Sequence, residues 1–224
     1  MRHPTERDRP GRARPGRDRR AAYDAPAFAP DAVTVGTRHL EVDGDWVATF
    51  AVVGFPREVY PGWLAPLLTY PGRLDVATVV EPIDPATAAS RLKVQLARLE
   101  SGRRRTAEHG RLTDPHVEAA TEDASDLSSR VARGEGELFR VGLYLTVHAA
   151  TEQALADEVA ALRALTSSLL LDAKPTAYRS LPGWVTTLPM GLDLIGMRRT
   201  FDSAALSAAF PSPPPTCPHP TRPR

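Results

Sequence analysis

The chain has 224 residues, of which 42% are hydrophobic and 25% are charged, and its formal net charge is +1. This composition is typical of a globular domain, and no apolar run reaches the roughly 18 residues that a transmembrane helix needs. Its one cysteine, Cys217, excludes an internal disulfide framework and a cysteine-based zinc site. Because the N-terminus has no apolar signal segment, the sequence predicts a cytoplasmic protein, and no motif indicates a metal or cofactor.

Both ends of the chain are predicted to be disordered. Residues 1–36 are dominated by Arg, Pro, Gly and Asp. Residues 1–20 alone carry eight Arg and three acidic residues, a net charge of +5 that leaves −4 for the remainder. Seven of the fourteen residues in 211–224 are proline, a composition that does not form a packed core. The folded domain is therefore predicted to span residues 37–210.

The domain is predicted to begin with a β-hairpin. His39–Val42 and Trp46–Val53 are strand-like and flank Asp43–Asp45, whose Asp-Gly pair favours a tight reversal. The second strand is apolar on both faces, so we expect both of its faces to be covered. The proline-rich segment 55–72 follows as an apolar loop. Leu74–Val80, rich in β-branched residues, is predicted to be the next strand.

Two helices are predicted to follow as a hairpin. The first begins at Pro85, a residue favoured in the first helical turn, with Asp84 as its N-cap. Its apolar stripe ends in the polar run 100–110. The second helix, predicted over 115–133, has a narrow apolar stripe with a spacing of three or four residues. This pattern is typical of a partly exposed helix that lies against its neighbour.

The last third of the domain adds two strands and two helices. Leu138–His148 is the clearest strand, and Thr151 is predicted to open a long helix. Ala177–Leu181 is predicted to be a closing strand, and Asp202–Phe210 a short final helix. The element order predicts an α+β fold: a mainly antiparallel sheet with helices packed on one face, split βαβ-like with an inserted helical hairpin.

No catalytic constellation is recognisable in the sequence. It has no G-x-x-x-x-G-K-[ST] phosphate loop, no G-x-S-x-G elbow and no H-E-x-x-H zinc motif. His148, at the end of a strand, is either a general base or a solvent-facing histidine. Two features are candidates for interaction. Trp63 belongs either to an exposed recognition patch or to the core. Arg103, Arg104 and Arg105, at the predicted hairpin turn, provide either an electrostatic contact or a solubilising turn.

Five segments resemble, in the same order, the N-terminal pre-ATPase domain of the TraC/TrbE/CagE/VirB-type ATPases of conjugative transfer and type IV secretion, in their actinobacterial form. The five segments are Gly54–Pro85, Asp84–Leu99, Phe139–Val147, Gly183–Pro189 and Arg198–Asp202. The resemblance implies a domain that docks on the secretion machinery at the inner membrane. It also implies that a separate C-terminal RecA-like domain hydrolyses ATP.

The resemblance ends at Phe210, where the proline-rich tail replaces the linker toward the phosphate-binding loop. The predicted function is therefore a non-catalytic docking domain, encoded alone or left by truncation. Its expected partners are inner-membrane subunits of the secretion complex or a separately encoded ATPase domain, and membrane association would come through these partners. One alternative is a nucleic-acid-binding accessory protein that uses the basic leader, which has no interspersed aromatics for stacking. Another is a hydrolytic enzyme that uses His148.

Overall fold

A computed structural model describes residues 30–108 and 115–210 of the chain. These residues contain a seven-stranded antiparallel sheet of order β1-β2-β3-β5-β4, in which β6 also pairs with β3 and β7 with β5. The strands are β1 Val33–Val35, β2 Leu40–Val42, β3 Asp45–Gly54, β4 Arg73–Pro82, β5 Leu138–Ala149, β6 Asp172–Pro175 and β7 Arg199–Asp202. The helices are α1 Ala65–Leu68, α2 Pro85–Glu108, α3 Pro115–Ala132, α4 Glu152–Ser168, α5 Ser180–Thr187 and α6 Ser203–Ala208. The predicted α+β class with a mainly antiparallel sheet is confirmed.

The local signals in the sequence place most of these elements correctly. Asp43 and Gly44 have φ angles of 51° and 87°, as a tight hairpin turn between β2 and β3 requires. The carboxylate of Asp84 accepts a hydrogen bond from the Thr87 amide at 3.0 Å at the start of α2. The Thr151 hydroxyl caps α4 in the same way, at 3.2 Å.

The two faces of the sheet are covered by different helices. On one face, Phe50 of β3 and Leu145 of β5 pack with Leu155 and Leu162 of α4 in the main core. On the other face, Thr146 of β5 hydrogen-bonds Thr187 of α5, a contact that the sequence does not predict. β3 is thus covered on both faces, as predicted. The predicted packing of the helices on one face of the sheet is wrong, because α5 lies on the face opposite α4.

The helices α2 and α3 pack against each other as the predicted hairpin. They form a second, smaller core beside the first residue of β5. This core contains Ala88, Leu92 and Leu138, with Ile83, Leu127 and Val131 packed against it. The hairpin therefore lies against one end of the sheet. Its connection at 109–114 lies outside the described residues.

The predicted closing strand at Ala177–Leu181 is wrong. The closing strand is β6, and its pairing with β3 ends where the Thr176 amide donates to the Thr49 carbonyl. Tyr178 then adopts a φ of 60°, which breaks the strand before α5 begins at Ser180. Residues 180–187 are helical instead.

The sheet begins earlier than the predicted domain boundary at Thr37. β1 pairs with β2 although all three of its residues are exposed, which explains why no hydrophobic pattern predicts it. The predicted disordered segments otherwise fall at 1–29 and 211–224, outside the described residues. Within the part of the chain that the structure describes, no helix is long and apolar enough to cross a membrane.

Candidate docking surface

Trp63, a predicted recognition residue, lies in the core. Its side chain is 2% exposed and meets the Phe55 ring edge-on, at 6.3 Å between centroids. The interpretation of Trp63 as an exposed contact is therefore wrong, because burying its large apolar ring stabilises the core. Its indole Nε1 is buried without a hydrogen-bond partner among the described residues.

The predicted basic contact lies on the surface of α2. Arg103, Arg104 and Arg105 are exposed, and they belong to the helix rather than to a turn. Successive helical residues point about 100° apart, so the three side chains cover different sides of α2. Arg104 approaches Glu100 at 3.9 Å, an exposed pair of the kind that contributes little. An interaction through these arginines remains a prediction.

The largest group of exposed apolar side chains close together in the sequence lies just after α5. We call residues 189–198 the apolar loop. Four of its large side chains are exposed: Met190 by 62%, and Leu192, Leu194 and Met197 by 44% each. Isolated surface hydrophobics are ordinary, but several on one short segment are typical of an interaction site.

Asp193 fixes the apolar loop from the inside. Its side chain is 2% exposed, although those of its neighbours Leu192 and Leu194 are exposed. One carboxylate oxygen accepts hydrogen bonds from the Tyr144 hydroxyl and the Gly196 amide, each at 2.8 Å. The other accepts from Arg198 Nε at 2.7 Å. These hydrogen bonds hold the Asp193 side chain inside, and the side chains of Leu192 and Leu194 on either side of it point outward.

Strand β5 of the sheet also supports the apolar loop. Tyr144 of β5 is fully buried, and its hydroxyl also accepts a hydrogen bond from the Met197 amide at 3.0 Å. A Cβ atom at Gly142 would lie 2.9 Å from the Tyr144 ring and 3.2 Å from the Met197 carbonyl oxygen. Because Gly142 has no Cβ atom, the Tyr144 ring and the Met197 backbone can come close to it.

Two further contacts hold the middle of the loop against α5. The Leu194 amide donates to the Thr186 hydroxyl at 3.1 Å, and Arg179 donates to the Leu194 carbonyl at 2.6 Å. The backbone amide and carbonyl of Leu194 are thus both held in place. A surface that is already ordered loses less conformational entropy on binding, which favours affinity.

The buried contacts change the proton affinities of Asp193 and Tyr144. Burial alone would raise the pKa of Asp193, but the hydrogen bonds from Gly196, Arg198 and Tyr144 outweigh it and lower the pKa below its usual 3.8. Burial, and then the bond to Asp193, raises the pKa of Tyr144 well above its usual 10. The ionised carboxylate and the neutral phenol are therefore both favoured near neutral pH.

We expect the folded state to lose stability in acid through Asp193. A carboxyl whose pKa is lowered by folding stabilises the protein above its unfolded pKa of about 3.9, and this contribution is lost as the pH falls below that value. Urea unfolding at several pH values should show that the stability difference between the parent chain and Asp193→Asn narrows below about pH 4. A difference in the free energy of unfolding that stays constant from pH 7 to pH 3 would contradict the lowered pKa of Asp193.

The residues of this surface were not predicted individually from the sequence. The only local signal is an alternation of Met190, Leu192 and Leu194 with a smaller or polar residue, Gly191 and Asp193. That pattern alone does not distinguish an exposed loop from a buried edge strand. In the structure Leu192 and Leu194 are exposed and Asp193 between them is buried, so the segment is an exposed loop.

Comparison of the chain with models of known protein families finds no match. Comparison with curated proteins finds no significant similarity either. Among the described residues, no group of three or more His, Cys, Asp or Glu side chains is arranged to hold a metal ion.

Proposed function

We propose that this chain is a non-catalytic docking domain that binds a partner protein through its apolar loop. The observation that supports this most directly is the exposure of four large apolar side chains on a backbone held by buried hydrogen bonds. Exposing this much apolar surface is unfavourable in water, and covering it with a partner recovers that free energy.

The resemblance of five segments to the pre-ATPase domain of conjugative transfer ATPases suggests the class of partner. In this proposal the loop contacts an inner-membrane subunit of a type IV secretion complex, or a separately encoded ATPase domain. The domain would then act in the cytoplasm at the inner face of the cell membrane. Three of the resembling segments, Phe139–Val147, Gly183–Pro189 and Arg198–Asp202, contain or adjoin the residues that support the loop.

The proposal can be tested with the double variant Leu192→Asp/Leu194→Asp. The full chain would be co-expressed with the inner-membrane subunits and the ATPase domain of an actinobacterial conjugation system, and the affinity of each purified pair measured. Each leucine is 44% exposed, so covering it contributes less than the roughly 1.5–3 kcal/mol of a fully buried leucine. Because each aspartate would also place an unpaired charge in the interface, binding should be weaker by at least about tenfold. The same variant should retain the circular dichroism spectrum of the parent chain.

A matched control is Leu68→Asp, at the end of α1. Leu68 is 54% exposed, more than either loop leucine, but lies outside the apolar loop. Its substitution should leave the affinity unchanged. If both variants bind as the parent chain does, or if no pair forms with the parent chain, the apolar loop is not the docking surface for these partners. Loss of DNA binding on deletion of residues 1–20 would instead favour the nucleic-acid alternative.

A further inference from the structure

Arginine side chains from α2, β5, β7 and the end of the apolar loop line a recess of about 350 Å³. Its lining residues are Arg91 of α2, Arg140 of β5, Gly196 and Arg198 of the apolar loop, and Arg199 and Thr200 of β7. Its volume lies at the lower end of the range for small-molecule sites. The recess is open to solvent, so a ligand in it can be part of a larger molecule.

The positive charge of this recess is only partly compensated within the described residues. Arg198 forms ion pairs with Asp193 and with Glu81, so its charge is balanced. Arg199 donates through Nε to the Val53 carbonyl oxygen at 2.7 Å, which fixes the side chain without neutralising it. Four arginines against two carboxylates leave a net charge of +2 on the cluster.

Arg91, Arg140 and Arg199 form no ion pair in the described parts of the chain. Arg199 is held by the Val53 carbonyl, so Arg91 and Arg140 are the two cations of the recess with neither an ion pair nor a side-chain hydrogen bond there. Arg140 lies directly across the strands from Glu81 of β4 and Thr200 of β7, but Glu81 is paired with Arg198 instead. Like charges held close together repel each other, and a bound anion would remove that repulsion. Arg91 and Arg140 are therefore the residues that an anion would contact.

We propose that this recess binds a phosphate group, independently of the docking function proposed above. Guanidinium groups match phosphate oxygens through paired, charge-assisted hydrogen bonds. Arg91 and Arg140 lie on a helix and a strand, so their two guanidinium groups can bind different oxygens of one phosphate. The group can belong to a soluble phosphate or to a phospholipid headgroup.

The test compares two double variants of the full chain with equal net charge. Arg91→Gln/Arg140→Gln removes the two unpaired cations of the recess, and Arg103→Gln/Arg104→Gln removes two exposed arginines elsewhere on α2. Inorganic phosphate should raise the melting temperature of the parent chain and of the second variant relative to acetate at equal ionic strength. For the first variant, phosphate affinity measured by calorimetry should fall by at least about tenfold.

Vesicles distinguish the two sources of phosphate. A basic leader attracts any anionic surface, and both variants carry it. The quantity to measure is therefore the difference in affinity between the two variants for phosphatidylglycerol vesicles. Phosphatidylcholine vesicles serve as the neutral reference. Weaker vesicle binding by the recess variant alone, with no response to inorganic phosphate, would assign the site to a lipid headgroup. Equal behaviour of both variants with phosphate and with vesicles, or equal binding of acetate, would overturn the proposal.

Discussion

Replacing Asp193 with alanine is expected to lower the free energy of unfolding by about 3 kcal/mol. The buried carboxylate accepts hydrogen bonds from Tyr144, Gly196 and Arg198, and its removal leaves the buried phenol without this acceptor. Arg198 keeps its pair with Glu81, which limits the loss. Urea denaturation followed by circular dichroism measures the change.

The control for this substitution is Asp172→Ala in β6. Asp172 pairs with Lys174 at 2.8 Å, but both side chains are more than half exposed. Exposed ion pairs contribute about 0–1 kcal/mol, so this variant should be nearly as stable as the parent chain. If the two substitutions cost the same, the network around Asp193 does not hold the loop. Asp193→Ala should also weaken partner binding, because it releases the backbone that presents Leu192 and Leu194.

The second large effect is expected at Gly183 in α5. A Cβ atom there would lie 2.5 Å from the Thr176 hydroxyl oxygen and 3.0 Å from its Cβ. Thr176 cannot move away easily, since its amide and its hydroxyl both donate to the Thr49 carbonyl. Gly183→Ala should therefore destabilise the fold by about 1–3 kcal/mol, even though alanine favours a helix by about 1 kcal/mol.

Gly102→Ala in α2 provides the matched comparison. A Cβ atom at Gly102 meets no other atom of the described residues within 4 Å, apart from its own helix and chain neighbours. The same substitution should here raise the free energy of unfolding by about 0.5–1 kcal/mol, because only the helix propensity changes. Thermal unfolding of both variants tests whether Gly102→Ala stabilises the fold and Gly183→Ala destabilises it. Stabilisation by Gly183→Ala would show that α5 does not pack against Thr176 as described.

Local signals were sufficient for the elements with strong patterns. The Asp-Gly pair at 43 and 44, the N-caps Asp84 and Thr151, and the alternation in Leu138–His148 each act over a few residues. Their effects are therefore visible in a single sequence. The short strands β1, β6 and β7 have three or four residues each and depend on pairing with β2, β3 and β5, so no local pattern specifies them.

The candidate site was harder to predict for the same reason. Trp63 belongs to the core because the segment around it folds back onto the sheet, with the Gly62 amide bonded to the Ala208 carbonyl, 146 residues away in the chain. The three arginines 103–105 are exposed as expected, but α2 continues through them. Their side chains therefore point to different sides of the helix. Neither outcome follows from the composition of the segment.

The sequence by itself determined the α+β class, the turn between β2 and β3, the caps of α2 and α4, and the apolar faces of β3 and β5. These features depend on residues that are neighbours in the chain or follow a fixed period. Only the tertiary structure decided that Asp193 is buried and bonded to Tyr144, that Leu192 and Leu194 are exposed, and that Arg91 and Arg140 line one recess. These positions depend on contacts between segments about 50 residues apart, which no local period records.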